Sequence, residues 1–299
     1  MNFSGEEVFP AKDSMFDIKG ILEPNNVEEA LKMLNDNENL KIISGGTDVL
    51  IKLHHGDIGE VELLSLKGLK ELDFIRILED ESIEIGSTTC FTTIHRNKII
   101  QEFLPALGQG AISMGGPQIR NMATIGGNVC NGAVSADSAP SLFAFNAKLK
   151  IKSLHGERVI PIEEFYKGPG RVDLKSDEIL ISIIIEKKDY DRTNGTYIKY
   201  SNRKAMDISM LGVCVVANVE YKKFKNLKIA LGVAAPTPIR CKEAEEFATD
   251  MEITEENIKL ISKKAVKSAR ARDSWRASKV YREHLIEELT ERAIREVIR

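Results

Sequence analysis

Only four cysteines occur in the 299 residues, Cys90, Cys130, Cys214 and Cys241, and no two stand as a C-x-x-C pair. Neither a zinc site nor an iron–sulfur cluster can be built from that spacing within this chain. Free thiols without a disulfide framework suit a reducing compartment, so a cytoplasmic location is expected. Long apolar runs are missing as well. The longest, Ile179–Ile185, is broken by Ser182 and falls far short of the roughly 20 residues of a membrane span. The first residues, MNFSGEEVFPAKDS, carry Glu6, Glu7 and Asp13 and no apolar stretch. Residues 1–14 therefore read as an extension and not as a signal peptide. Aromatics make up 6% of the chain, no basic run interleaves with them, and the net charge is −3. These exclude a nucleic-acid binder.

What is present is an ordinary globular composition, 42% hydrophobic and 29% charged, long enough for two or three modest domains. In PNNVEEALKML, Asn26 is a helix cap with Glu29 three residues on, and Val27, Ala30, Leu31 and Leu34 follow the stripe of an amphipathic helix. The run Leu40–Ile43 predicts a buried strand, ended by Gly45–Gly46, with a helix over Val49–Leu53. VELLSL and SIEIGST predict strands, and FLPALGQGAISM a helix with Leu104, Leu107, Ala111 and Ile112 on one side. Leu142–Ala147 predicts a helix, LKIKS and RVIPI a hairpin around His155–Gly156, and EILISIII a buried strand. From about Thr196 three long strands follow, then two helices. Thr254 caps the first, over Ile258, Ile261 and Ala265; Tyr281, Leu285, Leu289 and Val297 face inward on the second.

Two glycine turns carry the chemical signal. In KIISGGTDVL a strand runs through Gly45–Gly46 into a helix, which aims unpaired amides at whatever lies ahead of them. Such a site suits phosphate, although a tight turn with Asp48 in the first helical turn explains the residues equally well. No Gly-Lys-Ser/Thr follows, so this is not a P-loop. GQGAIS lacks the third glycine of a dinucleotide fingerprint and lies within a predicted helix. The second turn, TIGGN at 124–128, opens a stretch of small residues that runs through Asp137, an acceptor suited to sugar hydroxyls. Two such turns about 80 residues apart suit a ligand with linked phosphates and a sugar chain. Close packing of two sheets is the competing explanation.

SGGTDVL together with MATIGGNVCNGAVSADSAPSLFAFNAKL resembles the FAD-binding subunit of the molybdenum hydroxylases, the xanthine dehydrogenase family. The likeness continues through DEILISI, YIKYSNRKAMDIS, GVAAPTPIRC and SWRASKVYREHLI, covering about residues 15–298. These later blocks are nearest to the separate FAD subunits of bacterial xanthine dehydrogenases. The resemblance implies an α+β fold of the vanillyl-alcohol-oxidase (PCMH) type over 15–190, in subdomains of about 15–68 and 69–190. A C-terminal domain of the CO-dehydrogenase-flavoprotein kind, with a three-stranded antiparallel sheet and helices, would occupy 191–299. The cofactor implied is FAD. Lys41, Ile42, Ile43, Ser44, Gly45, Gly46, Thr47, Asp48 and Val49 would follow its pyrophosphate and adenosine side. Thr124, Ile125, Gly126, Gly127 and Asn128 would clasp the pyrophosphate from the other subdomain, with Asp137 on the ribityl hydroxyls. Met114 and Ala123 would line the channel, Leu180 would lie near the isoalloxazine, and Lys199 beside the flavin.

No conventional acid–base catalyst is evident. His54 and His55 are neighbours on different helix faces and suit a solvated helix end better than a metal. Cys130 suits a small filler, and Arg203 and Asp207 suit a mutual pair, with a nicotinamide-steering role as the alternative. The resemblance therefore implies partners: a molybdopterin-binding large subunit and a [2Fe–2S] small subunit, with NAD+ as electron acceptor. A free-standing flavoenzyme of the same fold would need its own substrate pocket, and a flavin-free assembly module would be colourless.

Overall fold

The computed structural model describes residues 17–37 and 39–299, so the extension expected over 1–14 lies outside the described residues. The first unit is a parallel three-stranded sheet ordered β1-β3-β2. It runs β1 (Ile18–Leu22), α1 (Val27–Asp36), β2 (Leu40–Ile43), α2 (Val49–His54) and β3 (Val61–Ser65). β1 was not expected from the sequence. It is an edge strand whose residues are exposed or half-buried, so it carries little apolar signal. The predicted α1 face is buried at Val27, Ala30, Leu31 and Leu34, and the Asn26 side chain accepts from the Glu29 amide at 2.8 Å. The Glu29 carboxylate reaches past the cap, to the amide of Asn25 at 2.7 Å.

The second unit begins with β4 (Ile75–Ile77) and β5 (Ile83–Gly86). Six short helices follow: α3 (Phe91–Arg96), α4 (Lys98–Phe103), α5 (Pro105–Ser113), α6 (Pro117–Met122), α7 (Ile125–Asn131) and α8 (Ala139–Ala144). The chain returns through β6 (Lys148–Ser153), β7 (Gly156–Pro161), α9 (Ile162–Phe165), β8 (Tyr166–Gly168), β9 (Arg171–Val172), β10 (Ile179–Ile185) and α10 (Lys187–Tyr190). The five-stranded sheet is ordered β4-β5-β10-β6-β7 and antiparallel. β10 lies at its centre, which is why its sequence is a continuous apolar run and does not alternate. The helix expected over 103–114 breaks at Pro105, where the ring removes a backbone donor, and Ile112 is 41% exposed instead of packed. The helix expected over Leu142–Ala147 starts earlier, at Ala139, and stops at Ala144.

The last unit is an antiparallel sheet of β11 (Asn194–Tyr200), β12 (Leu211–Glu220), β13 (Lys223–Gly232) and β14 (Ile239–Arg240). It has four strands where three were expected. After Pro236–Pro238 the chain doubles back, and two residues pair with β13 at Leu231 and Ala230. α11 (Lys242–Ala248), α12 (Glu255–Ser268) and α13 (Lys279–Val297) cover it. The Thr254 hydroxyl caps α12 as predicted. On α13 the buried face includes Arg282, Leu285, Ile286 and Leu289, whereas Tyr281 is 40% exposed. Of the four residues expected to face inward, Leu285, Leu289 and Val297 are buried, and Tyr281 in the first turn is not.

Candidate functional site

Between β2 and α2 the backbone turns at Gly46, whose φ of +74° is the left-handed conformation that glycine adopts without strain. The amides of Gly45, Gly46, Thr47 and Asp48 form no hydrogen bond with another described residue, while the carbonyls of Gly46 and Asp48 accept from Leu50 and Lys52 at 2.9 and 3.0 Å. Four successive unpaired donors on one turn make a concavity suited to an anion. Gly45 meets the second unit directly: a Cβ there would lie 2.0 Å from the carbonyl oxygen of Met122 and 2.9 Å from the Cα of Ala123. Thr124 donates its hydroxyl to Ser44 Oγ at 3.1 Å, and Lys52 Nζ donates to Asn131 at 2.9 Å. The structure therefore joins the two glycine turns that the sequence separates.

The second turn is organised differently. α7 is helical where the sequence predicted a turn within a stretch of small residues, and α6 precedes it. Thr124 caps α7 by accepting from Gly127 N at 3.2 Å, and the amides of Ile125, Gly126 and Asn128 donate to the carbonyls of Thr89, Ser87 and Thr124. The amides of this helix start are thus engaged within the chain, and only the first turn presents free ones. The two glycines also divide. Gly126 is buried against Ser87, where a Cβ would sit 2.6 Å from the serine Cβ; Gly127 is exposed and meets only Thr124 Oγ1. Beside Gly126, the buried hydroxyl oxygens of Ser87 and Thr88 have no hydrogen-bond partner among the described residues. Both oxygens are shut off from solvent, as are unpaired side-chain atoms of Tyr166, Glu186, Arg282 and Thr290 elsewhere in the chain, so they lie behind the turn and do not face a ligand.

Asp137 is 6% exposed and accepts three hydrogen bonds from within the chain. Its Oδ1 accepts from Tyr197 at 2.9 Å and Ser209 at 2.6 Å, and its Oδ2 from Lys199 Nζ at 2.8 Å. Lys199 also donates to the carbonyl of Ser113 at 3.0 Å, next to Met114. The cluster reaches the second turn through Ser138, whose hydroxyl donates to Asn128 Oδ1 at 2.7 Å. Tyr197 was missed in the sequence, yet it stands two residues before Lys199 on one strand and so shares its face. Met114, Ala123, Ile125 and Leu180 are buried in the core of the second unit. Lys41 and Asp48 are exposed, and Ile42, Ile43, Thr47 and Val49 are half-buried.

The remaining candidates are ordinary. Among the described residues no group of three or more His, Cys, Asp or Glu side chains is arranged to hold a metal. His54 and His55 are exposed, with ring centroids 5.8 Å apart. Burial pushes the Cys130 thiol up to about 12, so it is no thiolate nucleophile. Arg203 and Asp207 pair with each other: the Arg203 amide donates to the carboxylate at 2.8 Å. No helix among the described residues is long and apolar enough to cross a membrane.

Residues 14–187 match the family described as the FAD binding domain in molybdopterin dehydrogenase, and residues 196–297 the CO dehydrogenase flavoprotein C-terminal domain. The putative xanthine dehydrogenase FAD-binding subunit XdhB of Escherichia coli is 42% identical over 95% of this chain and 97% of its own. The nicotinate dehydrogenase FAD-subunit of Eubacterium barkeri is 31% identical, over 84% and 88% of the two chains. Carbon monoxide dehydrogenase from Hydrogenophaga pseudoflava shares the fold, with a TM-score of 0.87 at 24% identity over 92% of this chain and 96% of that one. Its likeness shows a PCMH-type α+β fold with the added C-terminal sheet. The chain belongs to the FAD-binding subunits of the molybdenum hydroxylase family, and FAD is its cofactor.

Proposed function

We propose that this chain is the electron-transfer subunit of a xanthine dehydrogenase in the cytoplasm, working with a molybdopterin-binding large subunit and a [2Fe–2S] small subunit, with NAD+ as acceptor. The observation that carries this reading is the contact of the two glycine turns, with the four unpaired amides of Gly45–Asp48 at the junction. The name of the E. coli relative supports the substrate class, and the lack of a cluster-forming cysteine pattern in this chain leaves the iron–sulfur step to another subunit. We assign residues 15–190 to FAD binding and 191–299 to the C-terminal domain.

The residues fit the cofactor. The amides of Gly45–Asp48 would hold the pyrophosphate, flanked by Lys41–Ser44 and Val49. Thr124–Asn128 would face it across Gly127, whose missing side chain leaves room for close approach. Met114, Ala123 and Leu180 would form the apolar wall. Asp137 keeps acceptor capacity beyond its three donors, which suits ribityl hydroxyls. Lys199 would place positive charge beside the flavin, favouring the reduced, more negative ring. Bound FAD supplies the exchange between one-electron and two-electron transfer.

Purification of the chain alone and with its genomic neighbours tests the reading. The expected result is a yellow protein releasing FAD on denaturation, and a three-subunit complex that reduces NAD+ with xanthine. A lone chain that turns over a substrate unaided overturns it, as does a flavin-loaded complex inert toward xanthine.

A further inference from the structure

The Asp137 carboxylate has more partners than charge balance requires. Lys199 alone, 2.8 Å away with 12% of its side chain exposed, supplies the counter-charge. Two hydroxyls nevertheless converge on the other oxygen, from Tyr197 and Ser209. Room for one of them comes from a glycine. Gly212 on β12 is the register partner of Lys199, and a Cβ there would lie 2.8 Å from the Tyr197 hydroxyl. The strand is pinned from the other side too, where Gln109 on α5 accepts from the Tyr197 amide at 2.6 Å and the Thr196 hydroxyl at 3.1 Å. Burial and the Asp137 charge push the Tyr197 phenol well above its ordinary value, so it remains a neutral donor. Asp137 stands on the unit with the second glycine turn, whereas Tyr197, Lys199 and Ser209 belong to β11 and the loop after it.

We propose that Tyr197 and Ser209 are positioning residues: by fixing the Asp137 carboxylate they fix the Lys199 ammonium, so the C-terminal sheet sets the affinity and reduction potential of FAD bound to the preceding units. The inference rests on the placement of Asp137 and Lys199 at the flavin given above. Two donors on Oδ1 draw negative charge away from Oδ2 and stop the carboxylate from rotating. Without them the carboxylate is more negative and less fixed, the field of Lys199 is offset more fully, and reduction of the flavin becomes harder.

The test compares full-length, FAD-loaded wild type with Lys199→Gln, Tyr197→Phe, Ser209→Ala and the Lys199→Gln/Tyr197→Phe pair. The readouts are FAD dissociation constant, flavin reduction potential by dye equilibration, and melting temperature. Lys199→Gln is expected to disfavour reduction about tenfold, close to 30 mV for a two-electron couple. Tyr197→Phe should move the potential the same way by about threefold and weaken FAD binding several-fold, with little further shift in the pair. Ser209→Ala gives the same reading should Tyr197→Phe fail to fold. A merely structural role lowers the melting temperature and leaves the potential in place. If Lys199→Gln moves the potential while Tyr197→Phe and Ser209→Ala do not, the inference is wrong and the placement of Lys199 stands. If Lys199→Gln changes neither potential nor affinity, the placement fails and takes the inference with it.

Discussion

Gly126 and Gly127 are adjacent and identical in type, yet their surroundings differ. At Gly126 an added methyl would press on Ser87, with Cβ and carbonyl oxygen both at 2.6 Å. Overpacking of this kind costs about 1–3 kcal/mol. Gly126→Ala should therefore lower the melting temperature, and FAD content should fall only as the fold does. At Gly127 the nearest atom is Thr124 Oγ1 at 3.0 Å, on the open side of the helix. Gly127→Val should melt near the wild-type temperature and retain little FAD, because the new side chain would stand in the approach proposed for the cofactor. Differential scanning calorimetry and flavin absorbance on the same preparations separate the two. Equal flavin retention in the two variants, at matched stability, would remove Gly127 from the site. Asp137→Ala leaves Lys199 without its carboxylate and Tyr197 and Ser209 without their acceptor. It should weaken FAD binding, by a few kcal/mol at most, as an equilibrium titration would read.

Elements with strong periodicity were legible in the sequence: α1 from its stripe and cap, β10 from its unbroken apolar run, the β6–β7 hairpin from its turn. The turn between β2 and α2 was legible as well, because Gly45–Gly46 interrupts two apolar runs. What failed to show was helix formation in the small-residue region. Thr124 caps α7 and Gly132 ends it with a φ of +63°, yet a sequence rich in glycine argues locally against a helix. Contacts with Ser87 and Thr89 decide the matter, and these are tertiary. The ion pair that staples β7 to the start of β10 was equally invisible. Arg158 gives two hydrogen bonds of 2.8 Å to Glu178 and a third, at 3.2 Å, to Asp173. Burial would raise the Glu178 pKa, but the Arg158 hydrogen bonds and the Lys175 amide outweigh it and hold the carboxyl below its ordinary value. A depressed carboxyl contributes stability above its unfolded pKa, about 4.3 for Glu, and that contribution is lost as pH falls through the lower folded value. Glu178→Gln should then cost about 1.5–3 kcal/mol at neutral pH, with the gap to wild type closing in acid. Urea unfolding at pH 7 and below pH 4 reads this directly; a gap that stays constant with pH would show that the charge is irrelevant.

The three units are held as one molecule by buried charge as well as by apolar contact. Lys228 on β13 and Asp189 on α10 pair at 2.5 Å, with 8% and 4% of their side chains exposed. Asn146 donates to the same carboxylate oxygen and accepts from Arg240, whose guanidinium is bound by Glu245 through two hydrogen bonds. Burial holds the Lys228 ammonium below its ordinary value, against the pull of Asp189. Desolvation is thus winning over attraction, the situation in which an ion pair adds little net stability but becomes costly once halved. Lys228→Met should lose about 3–5 kcal/mol, because Asp189 stays buried with only Asn146 for company. Lys228→Met combined with Asp189→Leu should recover most of that loss, and chemical denaturation of the two singles and the double yields the coupling. Such a pair would then serve registry between the second unit and the C-terminal sheet. The double variant should accordingly regain stability while binding FAD more weakly than wild type, since Lys199 and Tyr197 lie on the sheet that has lost its polar registration. If the double variant matches wild type in both stability and FAD affinity, apolar packing alone sets the registry.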